Sequence, residues 1–488
     1  MSSDTLIVLA LLVPIAGAGL IALTGRNPNL RETVTIITSL ALFATVMSLL
    51  GAVYSGAMPR TNPVVIFTGV ELGFSVEPLG MIFAVIASSL WIVNSIYSIG
   101  YMRANDEPRQ TSFYVCFAVA ISAAIGVAFA GNLFTLFLFY EVLTLSTYPL
   151  VAHKANADAI AGGRLYLLLL LGTSMGLLLP AIVWTGIVAG TLDFMPGGIL
   201  AGKLGGAALG ILLALYIFGI GKAAVMPVHY WLPAAMVAPT PVSALLHAVA
   251  VVKAGVFTVV KVIVYVFGID LLAGTGAGDW LVYVAGFTVI AASLVALRQD
   301  NLKRRLAYST VSQLSYVVLA AAILTPISIM GAALHILAHA VSKITLFFAA
   351  GSIYTAAHLT EISQLNGIGR RMPWTMSAFA IGAISMIGVP PTVGFVGKWF
   401  MLSGAMTSQN WIAVAVIVIS TMLNAAYFLP IVFNAFFRPP DNPGGKDHDH
   451  GEAPWPIVLA LTATAAGTLA LFFFPQVPFT LASMLVAQ

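Results

Sequence analysis

Hydrophobic positions in this sequence form long uncharged blocks, which short polar or Gly/Pro-rich breaks separate. A helix needs about 20 mostly apolar residues to cross the hydrocarbon core of a bilayer, so each block predicts a membrane-spanning helix. Fourteen such segments, numbered 1 to 14, cover residues 5–23, 33–54, 79–101, 112–130, 132–152, 165–190, 207–226, 241–267, 280–297, 305–324, 327–351, 373–406, 410–434 and 455–474.

Composition narrows the class of protein. The 488 residues are 60% hydrophobic and 8% charged, with a mean hydropathy of +1.00, whereas a soluble fold carries roughly a quarter charged residues. We therefore expect an all-α integral membrane protein that lies in the lipid bilayer. The single cysteine, Cys116, excludes a Cys-ligated cluster, and a net charge of +4 is too sparse for a nucleic-acid surface. We expect no metal, no cofactor, no nucleic-acid partner and no catalytic site in this chain.

The distribution of lysine and arginine predicts the topology. Of the 21 Lys and Arg residues, fourteen lie in loops after odd-numbered segments, and only Arg60 and Lys203 lie in loops after even-numbered ones. Because cytoplasmic loops of membrane proteins carry the excess of these residues, both termini are predicted to face the outside. The expected location is the bacterial cell (inner) membrane, which the chain crosses many times.

The remaining basic residues lie inside apolar segments. A cation at the centre of a spanning helix costs roughly 2.5–3.5 kcal/mol on insertion scales. Glu141 is the only acidic residue deep in a segment, and together these groups indicate a buried pathway for protons or ions. Snorkelling to an interface or structural ion pairing is the alternative, and it applies above all to Lys261 near the end of segment 8. The five buried cations are Lys222, Lys253, Lys261, Lys343 and Lys398.

Three histidines extend this array. His247 lies in segment 8, and His335, His339 and Lys343 follow one another at steps of four residues in segment 11. Each step rises about 6 Å and turns about 40°, which keeps the three side chains roughly on one face. Hydrogen bonding between helices is the alternative role, whereas a histidine metal pair lacks a third ligand.

Two segments contain sequences that interrupt a helix. Segment 12 contains Pro390, Pro391 and Gly394, and Pro227 follows segment 7 closely, so we predict that both helices are broken. Lys222 and Lys398 lie beside these breaks, in segments five apart. This spacing suits two inverted five-helix repeats. They comprise segments 4–8 (112–267) and 9–13 (280–434), between N-terminal helices (1–111) and a last helix (455–474), in one membrane domain.

Several motifs resemble those of a known family. They are Gly219-Ile220-Gly221-Lys222, Trp231-Leu232-Pro233, Ala238-Pro239-Thr240-Pro241-Val242-Ser243-Ala244-Leu245-Leu246-His247, and Gly388-Val389-Pro390-Pro391 with Gly397-Lys398. Through them the chain resembles the antiporter-like membrane subunits shared by respiratory complex I, membrane-bound hydrogenases and Mrp-type sodium/proton antiporters. The resemblance covers nearly the whole chain, from about segment 3 to segment 13.

The resemblance implies both a fold and roles for individual residues. The family fold has fourteen helices with two inverted five-helix repeats. Glu141 matches the glutamate that pairs with Lys222, Lys253 matches the central lysine, and Lys398 matches the terminal charged residue of the broken helix. His247 and the two segment-11 histidines match positions along the hydrated central axis and its link.

The resemblance leaves the particular complex open. Lys398 favours the Mrp or hydrogenase side, whereas the Pro239–Ala248 sequence is more similar to a complex I subunit. The first hypothesis is the proton-translocating D-type component of an Mrp-type Na+/H+ antiporter, with other membrane subunits, protons and possibly Na+ as partners. The alternative is a proton-pumping subunit of a complex I-like NADH-quinone oxidoreductase or a membrane-bound hydrogenase. A stand-alone channel or a structural membrane subunit is the third hypothesis.

Overall fold

Helices dominate the computed structural model, which describes residues 2–67, 70–440 and 451–487. Within these ranges, eleven helices are long and apolar enough to cross a membrane. The predicted all-α integral membrane class is therefore confirmed. The helices that coincide with the fourteen segments are α1 (Ser3–Leu23), α2 (Pro28–Tyr54), α3 (Pro78–Ala104), α4 (Gln110–Ala128), α5 (Leu133–Val151), α6 (Ala157–Ala189), α7 (Gly206–Gly219), α8 (Thr240–Phe267), α9 (Asp279–Arg298), α10 (Leu302–Ala322), α11 (Pro326–Ala357), α12 in two halves (Pro373–Ile387 and Val393–Thr407), α13 (Trp411–Phe437) and α14 (Trp455–Phe473).

Some small elements lie outside the predicted segments. Two short antiparallel strands, β1 (Val64–Phe67) and β2 (Val70–Leu72), form a hairpin in the loop after α2. A short helix, Ile269–Thr275, connects α8 to α9, and another, Gln476–Val486, follows α14. These elements are too short or too polar to have produced a long apolar block, so the pattern used for the segments did not detect them.

The most buried helices are α8 and α11. All of the most apolar 18-residue stretch of α8 is buried, and 94% of that of α11, against 39% for α1 and 33% for α2, α13 and α14. The outer helices present apolar side chains to their surroundings, as helices in contact with lipid or with other membrane subunits do. Polar side chains on α8 and α11 are therefore enclosed by protein, which keeps them away from hydrocarbon.

Helix α7 ends earlier than predicted. It stops at Gly219, whereas segment 7 extended to residue 226, and the chain then forms short 3-10 turns and one helical turn as far as Val237. The indole of Trp231 donates a hydrogen bond to the Gly221 carbonyl at 3.0 Å, which stabilises the non-helical turn. Pro227, in a cis peptide bond with Met226, lies within this irregular stretch, as predicted.

The predicted break in α12 is confirmed, with one correction. The first half ends at Ile387, Gly388 has a φ of +90°, and the second half begins at Val393 after the cis Pro390–Pro391 bond. Gly394 is not part of the break, because it lies in the first turn of the second half. Its role is close packing, since a Cβ there would collide with the carbonyl group of Ser385 in the first half.

Candidate functional site

Lys222 lies in the 3-10 turn after α7 and is fully buried. Its ammonium donates to the Tyr140 carbonyl at 2.9 Å and to the Thr144 hydroxyl at 2.5 Å, both on α5. The same ammonium lies 3.2 Å from the centre of the Tyr140 ring, and the Tyr140 hydroxyl accepts the Lys222 backbone N–H at 3.1 Å. The Tyr140 carbonyl, the Thr144 hydroxyl and the Tyr140 ring partly offset the free-energy cost of burying the ammonium.

Glu141 is buried beside this site. The resemblance implied an ion pair between Glu141 and Lys222, but the two side chains are not in contact. Within the described ranges, the ion pairs are Arg31–Glu32, Arg103–Glu32 and Lys261–Glu77. Both carboxylate oxygens of Glu141 are buried without a hydrogen-bond partner there. The physical reason is that the Tyr140 carbonyl and the Thr144 hydroxyl already engage the ammonium. Glu141 directly follows Tyr140 on α5, so its influence on Lys222 is electrostatic and does not involve a hydrogen bond.

Lys253, on α8, makes its hydrogen bond to a histidine. Its ammonium and the Nδ1 atom of His339 on α11 are in hydrogen-bond contact, and both residues are buried. The ring centroids of His339 and His335 are 6.4 Å apart, one helical turn along α11. The structure thus brings the central lysine and both segment-11 histidines together, as the sequence predicted for the histidines.

A glutamine continues this line to the broken helix. His335 Nε2 lies 2.9 Å from the Oε1 atom of Gln313 on α10, and the amide of Gln313 donates to the Met386 carbonyl at 3.3 Å. Lys398 donates to the same carbonyl at 2.9 Å and to the Ile387 carbonyl at 3.0 Å. We call these five side chains, in order, the central chain: Lys253, His339, His335, Gln313 and Lys398.

The break in α12 creates the binding site for Lys398. The last carbonyls of a helix have no partner within the helix, and they carry partial negative charge from the helix dipole. Because the first half of α12 ends at Ile387, its terminal carbonyls are available to the lysine of the second half. Lys398 therefore lies beside the break, as predicted, because its ammonium binds the carbonyls that the break leaves free.

Two predicted site residues lie beside the central chain without a hydrogen bond to it. Lys343 donates to the Ser309 hydroxyl on α10. His247 packs against the Phe347 ring with centroids 4.7 Å apart, and its two ring nitrogens are buried without a partner in the described part of the chain. Of the ladder of His335, His339 and Lys343, only the two histidine rings lie side by side.

Lys261 forms an ion pair, which was the alternative interpretation of this residue. Its ammonium lies 2.6 Å from the Glu77 carboxylate and donates to the Ala130 carbonyl at 2.8 Å. The side chains of Lys261 and Glu77 are 1% and 6% exposed. This buried ion pair lies near one end of α8, away from the central chain.

The sequence interpretation did not include the residues that connect or bind the array. They are Gln313, Ser309 and Thr144, which contact His335, Lys343 and Lys222. A signal for two of them was present, because segment 10 carries a dense run of hydroxyl and amide side chains between residues 309 and 315 in an otherwise apolar span. Buried polar groups of this kind are normally hydrogen-bonded, so the run indicated a polar interface.

The arrangement defines a class of protein. Titratable side chains that lie close together, enclosed by membrane-spanning helices, can accept and donate protons where water is scarce. Within residues 2–67, 70–440 and 451–487 no group of three or more His, Cys, Asp and Glu side chains is arranged to hold a metal ion. The chain is a multi-pass membrane protein with a buried line of titratable and polar side chains.

Comparison with known proteins assigns the family. Residues 130–424 match the family described as NADH:quinone oxidoreductase/Mrp antiporter, TM, and the chain belongs to that family. It is 32% identical over 384 residues to NADH-quinone oxidoreductase subunit N of Desulforudis audaxviator, which covers 78% of this chain and 75% of the relative. It is 25% identical over 484 residues to the D-type component of the Na(+)/H(+) antiporter of Alkalihalophilus pseudofirmus, covering 96% and 94%.

A solved structure agrees with the fold. A chain of the Mrp complex from Dietzia sp. DQ12-45-1b superposes with a TM-score of 0.88 at 22% identity, covering all of this chain and 97% of that one. At this level of identity the likeness concerns the fold. The chain is thus an antiporter-like membrane subunit, as the sequence motifs predicted.

Proposed function

We propose that this chain is the proton-translocating subunit of a multi-subunit, Mrp-type Na+/H+ antiporter, and that protons move along the buried array. The observation that carries the proposal is the central chain, in which contacts between side chains, or through the shared Met386 carbonyl, run from α8 to the broken helix α12. A purely structural membrane subunit would have no use for such a line, since each buried cation costs free energy.

The proposed path begins at Glu141 and Lys222. Gain or loss of a proton by the Glu141 carboxylate changes the electrostatic field at Lys222, whose ammonium is held by neutral partners only. Lys222 then exchanges with Lys253, and His339 and His335 pass the proton towards Lys398 at the break in α12. His247 and Lys343 lie beside this path and adjust its electrostatic potential.

Coverage supports the antiporter assignment. The chain aligns with almost the full length of the Alkalihalophilus antiporter component. We further propose that both termini face the outside of a bacterial inner membrane, since the lysine and arginine bias of the loops supports that orientation.

A second function has its own support. Sequence identity is higher to the NADH-quinone oxidoreductase relative, at 32% against 25%. The same array would then serve a proton pump that electron transfer in partner subunits drives.

Purification of the tagged protein from its native membrane in mild detergent, followed by mass spectrometry of its companions, distinguishes the two. Companions that are all membrane subunits support the antiporter, and everted vesicles should then show Na+-dependent proton exchange. Soluble Cys-rich subunits with iron–sulfur clusters would instead establish the redox-driven pump.

A further inference from the structure

A pocket lined by both charged and apolar side chains opens at the end of the bundle where α8 finishes and α3 and α5 begin. Its volume is about 430 Å³, and its walls include Glu71, Ser75 and Asp193, from the hairpin region and the loop after α6. Glu77 and Lys261 also line it. The loops at this end follow even-numbered helices, so they form the face with few lysines and arginines.

The ion pair at the floor of this pocket is not required to start a helix. Glu77 is the N-cap residue of α3, yet its side chain makes no capping hydrogen bond to the backbone. The carboxylate instead contacts the ammonium of Lys261 at 2.6 Å. A carboxylate at an N-cap position normally accepts a hydrogen bond from the first turn of its helix. Glu77 instead turns towards Lys261, which indicates a role other than helix capping.

Helix α8 connects this pair to the central chain. Lys253, Phe257 and Lys261 follow one another at steps of four residues, and each step rises about 6 Å along the helix. The Phe257 ring lies 5.3 Å from the Lys261 ammonium and packs on the Phe83 ring at a centroid distance of 5.1 Å. One aromatic layer thus separates the ion pair from the central lysine.

We propose that this pocket, which we call the α8 vestibule, is an aqueous access point through which the buried array exchanges protons with the lysine-poor face. The Glu77–Lys261 pair is its inner gate, and the Phe83–Phe257 layer limits leakage. The proposal rests on the proposed function, because it assumes that Lys253 carries protons.

The chemical step at the gate is a proton transfer without any other reactant. The ammonium of Lys253 gives up a proton, which crosses the Phe83–Phe257 layer along a transient line of water, because the distance is too long for direct transfer. The Glu77 carboxylate accepts it as the ion pair with Lys261 opens. The neutral carboxyl group then releases that proton to water in the vestibule and reforms the ion pair. Charge and atoms are conserved, since one proton leaves Lys253 and one enters the water.

Side-specific labelling tests the aqueous access. In a Cys116→Ser chain assembled with its natural partners, Ser75→Cys places a thiol on the vestibule wall, and Ser55→Cys places one on the same face outside it. A membrane-impermeant sulfonatoethyl methanethiosulfonate is added to intact cells. We expect both thiols to react, and only modification at position 75 to reduce subsequent proton transport.

Two outcomes of the labelling would overturn the proposal. One is a thiol at position 75 that reacts only from the cytoplasmic side of everted vesicles. The other is modification at position 75 that leaves transport equal to that of the modified Ser55→Cys chain.

Neutralising both members of the pair separates a gate from a structural bond. The double variant Glu77→Gln/Lys261→Gln leaves no unpaired charge. Its control is Glu32→Gln/Arg103→Gln, which removes both ion pairs of Glu32 while Arg31 keeps its hydrogen bonds to Gln110 and Thr111. We expect transport to fall on the order of a hundredfold, as for loss of a positioned proton-transfer group, in the first variant only. Equal transport in both assembled double variants would make the Glu77–Lys261 pair purely structural.

A Lys253→Ala chain measured in parallel distinguishes a failure of the proposed function from a failure of the α8 vestibule alone. If Lys253→Ala retains full transport, the proposed function itself fails. If Lys253→Ala abolishes transport while Glu77→Gln/Lys261→Gln preserves it, only the vestibule fails.

Discussion

Gln313 is the residue whose replacement interrupts the central chain with the least change of shape. It is fully buried, and its Oε1 atom lies 2.9 Å from His335 Nε2. Its amide donates at 3.3 Å to the Met386 carbonyl, which Lys398 also contacts. In Gln313→Leu both hydrogen bonds are lost. His335 is then left without a partner on either ring nitrogen, because Nδ1 already has none among the described residues.

The size of the effect follows from these contacts. An unsatisfied buried polar group costs about 1–3 kcal/mol of stability, which a large membrane protein that buries most of α10 and α11 should tolerate. Transport should suffer more, because Gln313 holds the His335 ring in place, and loss of a positioned proton-transfer group lowers a rate about 10²–10⁴-fold. At about 1.36 kcal/mol for each factor of ten, the barrier rises by roughly 3–5 kcal/mol.

The assay is the initial rate of proton movement in everted vesicles, normalised to the assembled complex. Ser312→Ala is the matched control, since Ser312 is also buried on α10 and loses a hydrogen bond of 2.9 Å to Ser293 outside the central chain. We expect Ser312→Ala to transport normally. A Gln313→Leu rate equal to that of Ser312→Ala would refute the assignment of Gln313 as the link.

Three further predictions concern other residues of the array and the packing around it. Glu141→Gln and Lys222→Ala should each abolish transport while the complex still assembles, as native gel electrophoresis and vesicle assays can check; full activity in either removes that residue from the path. Lys398→Met should slow proton exchange at the broken helix by on the order of a hundredfold, measured as dye response in vesicles, and an unaltered rate would indicate another exit. Gly255→Ala should destabilise the protein by about 1–3 kcal/mol, because a Cβ there meets the backbone of Lys222; thermal unfolding in detergent measures this, with Gly19→Ala, which has open space, as the control that should remain stable.

The sequence predicted the features that depend on local chemistry. Long apolar blocks correspond to helices because span length and hydropathy are local properties, and Pro390 and Pro391 interrupt α12 because neither supplies a backbone N–H. The histidines of α11 lie at the predicted spacing, since a single uninterrupted helix carries them. These predictions required no knowledge of how the helices pack.

Contacts between distant segments could not be predicted in the same way. Lys222 contacts Thr144 rather than Glu141, and the two positions differ by less than one turn of α5, which sequence spacing does not resolve. Lys261 and Glu77 are 184 positions apart, and their pairing depends on how α3 packs near the end of α8. The role of Gln313 likewise depends on how α10 packs against α11 and reaches the break in α12.

The most direct test of the central claim is proton flux through the purified complex in liposomes, with Lys253→Met compared with Thr258→Val. Both residues are buried on α8, and Thr258 donates only to the Ala254 carbonyl within its own helix, at 2.6 Å. If Lys253 passes protons to His339, Lys253→Met should reduce the flux on the order of a hundredfold or more, while Thr258→Val remains close to the unmodified complex. Equal flux in the two variants would contradict proton transfer along the central chain.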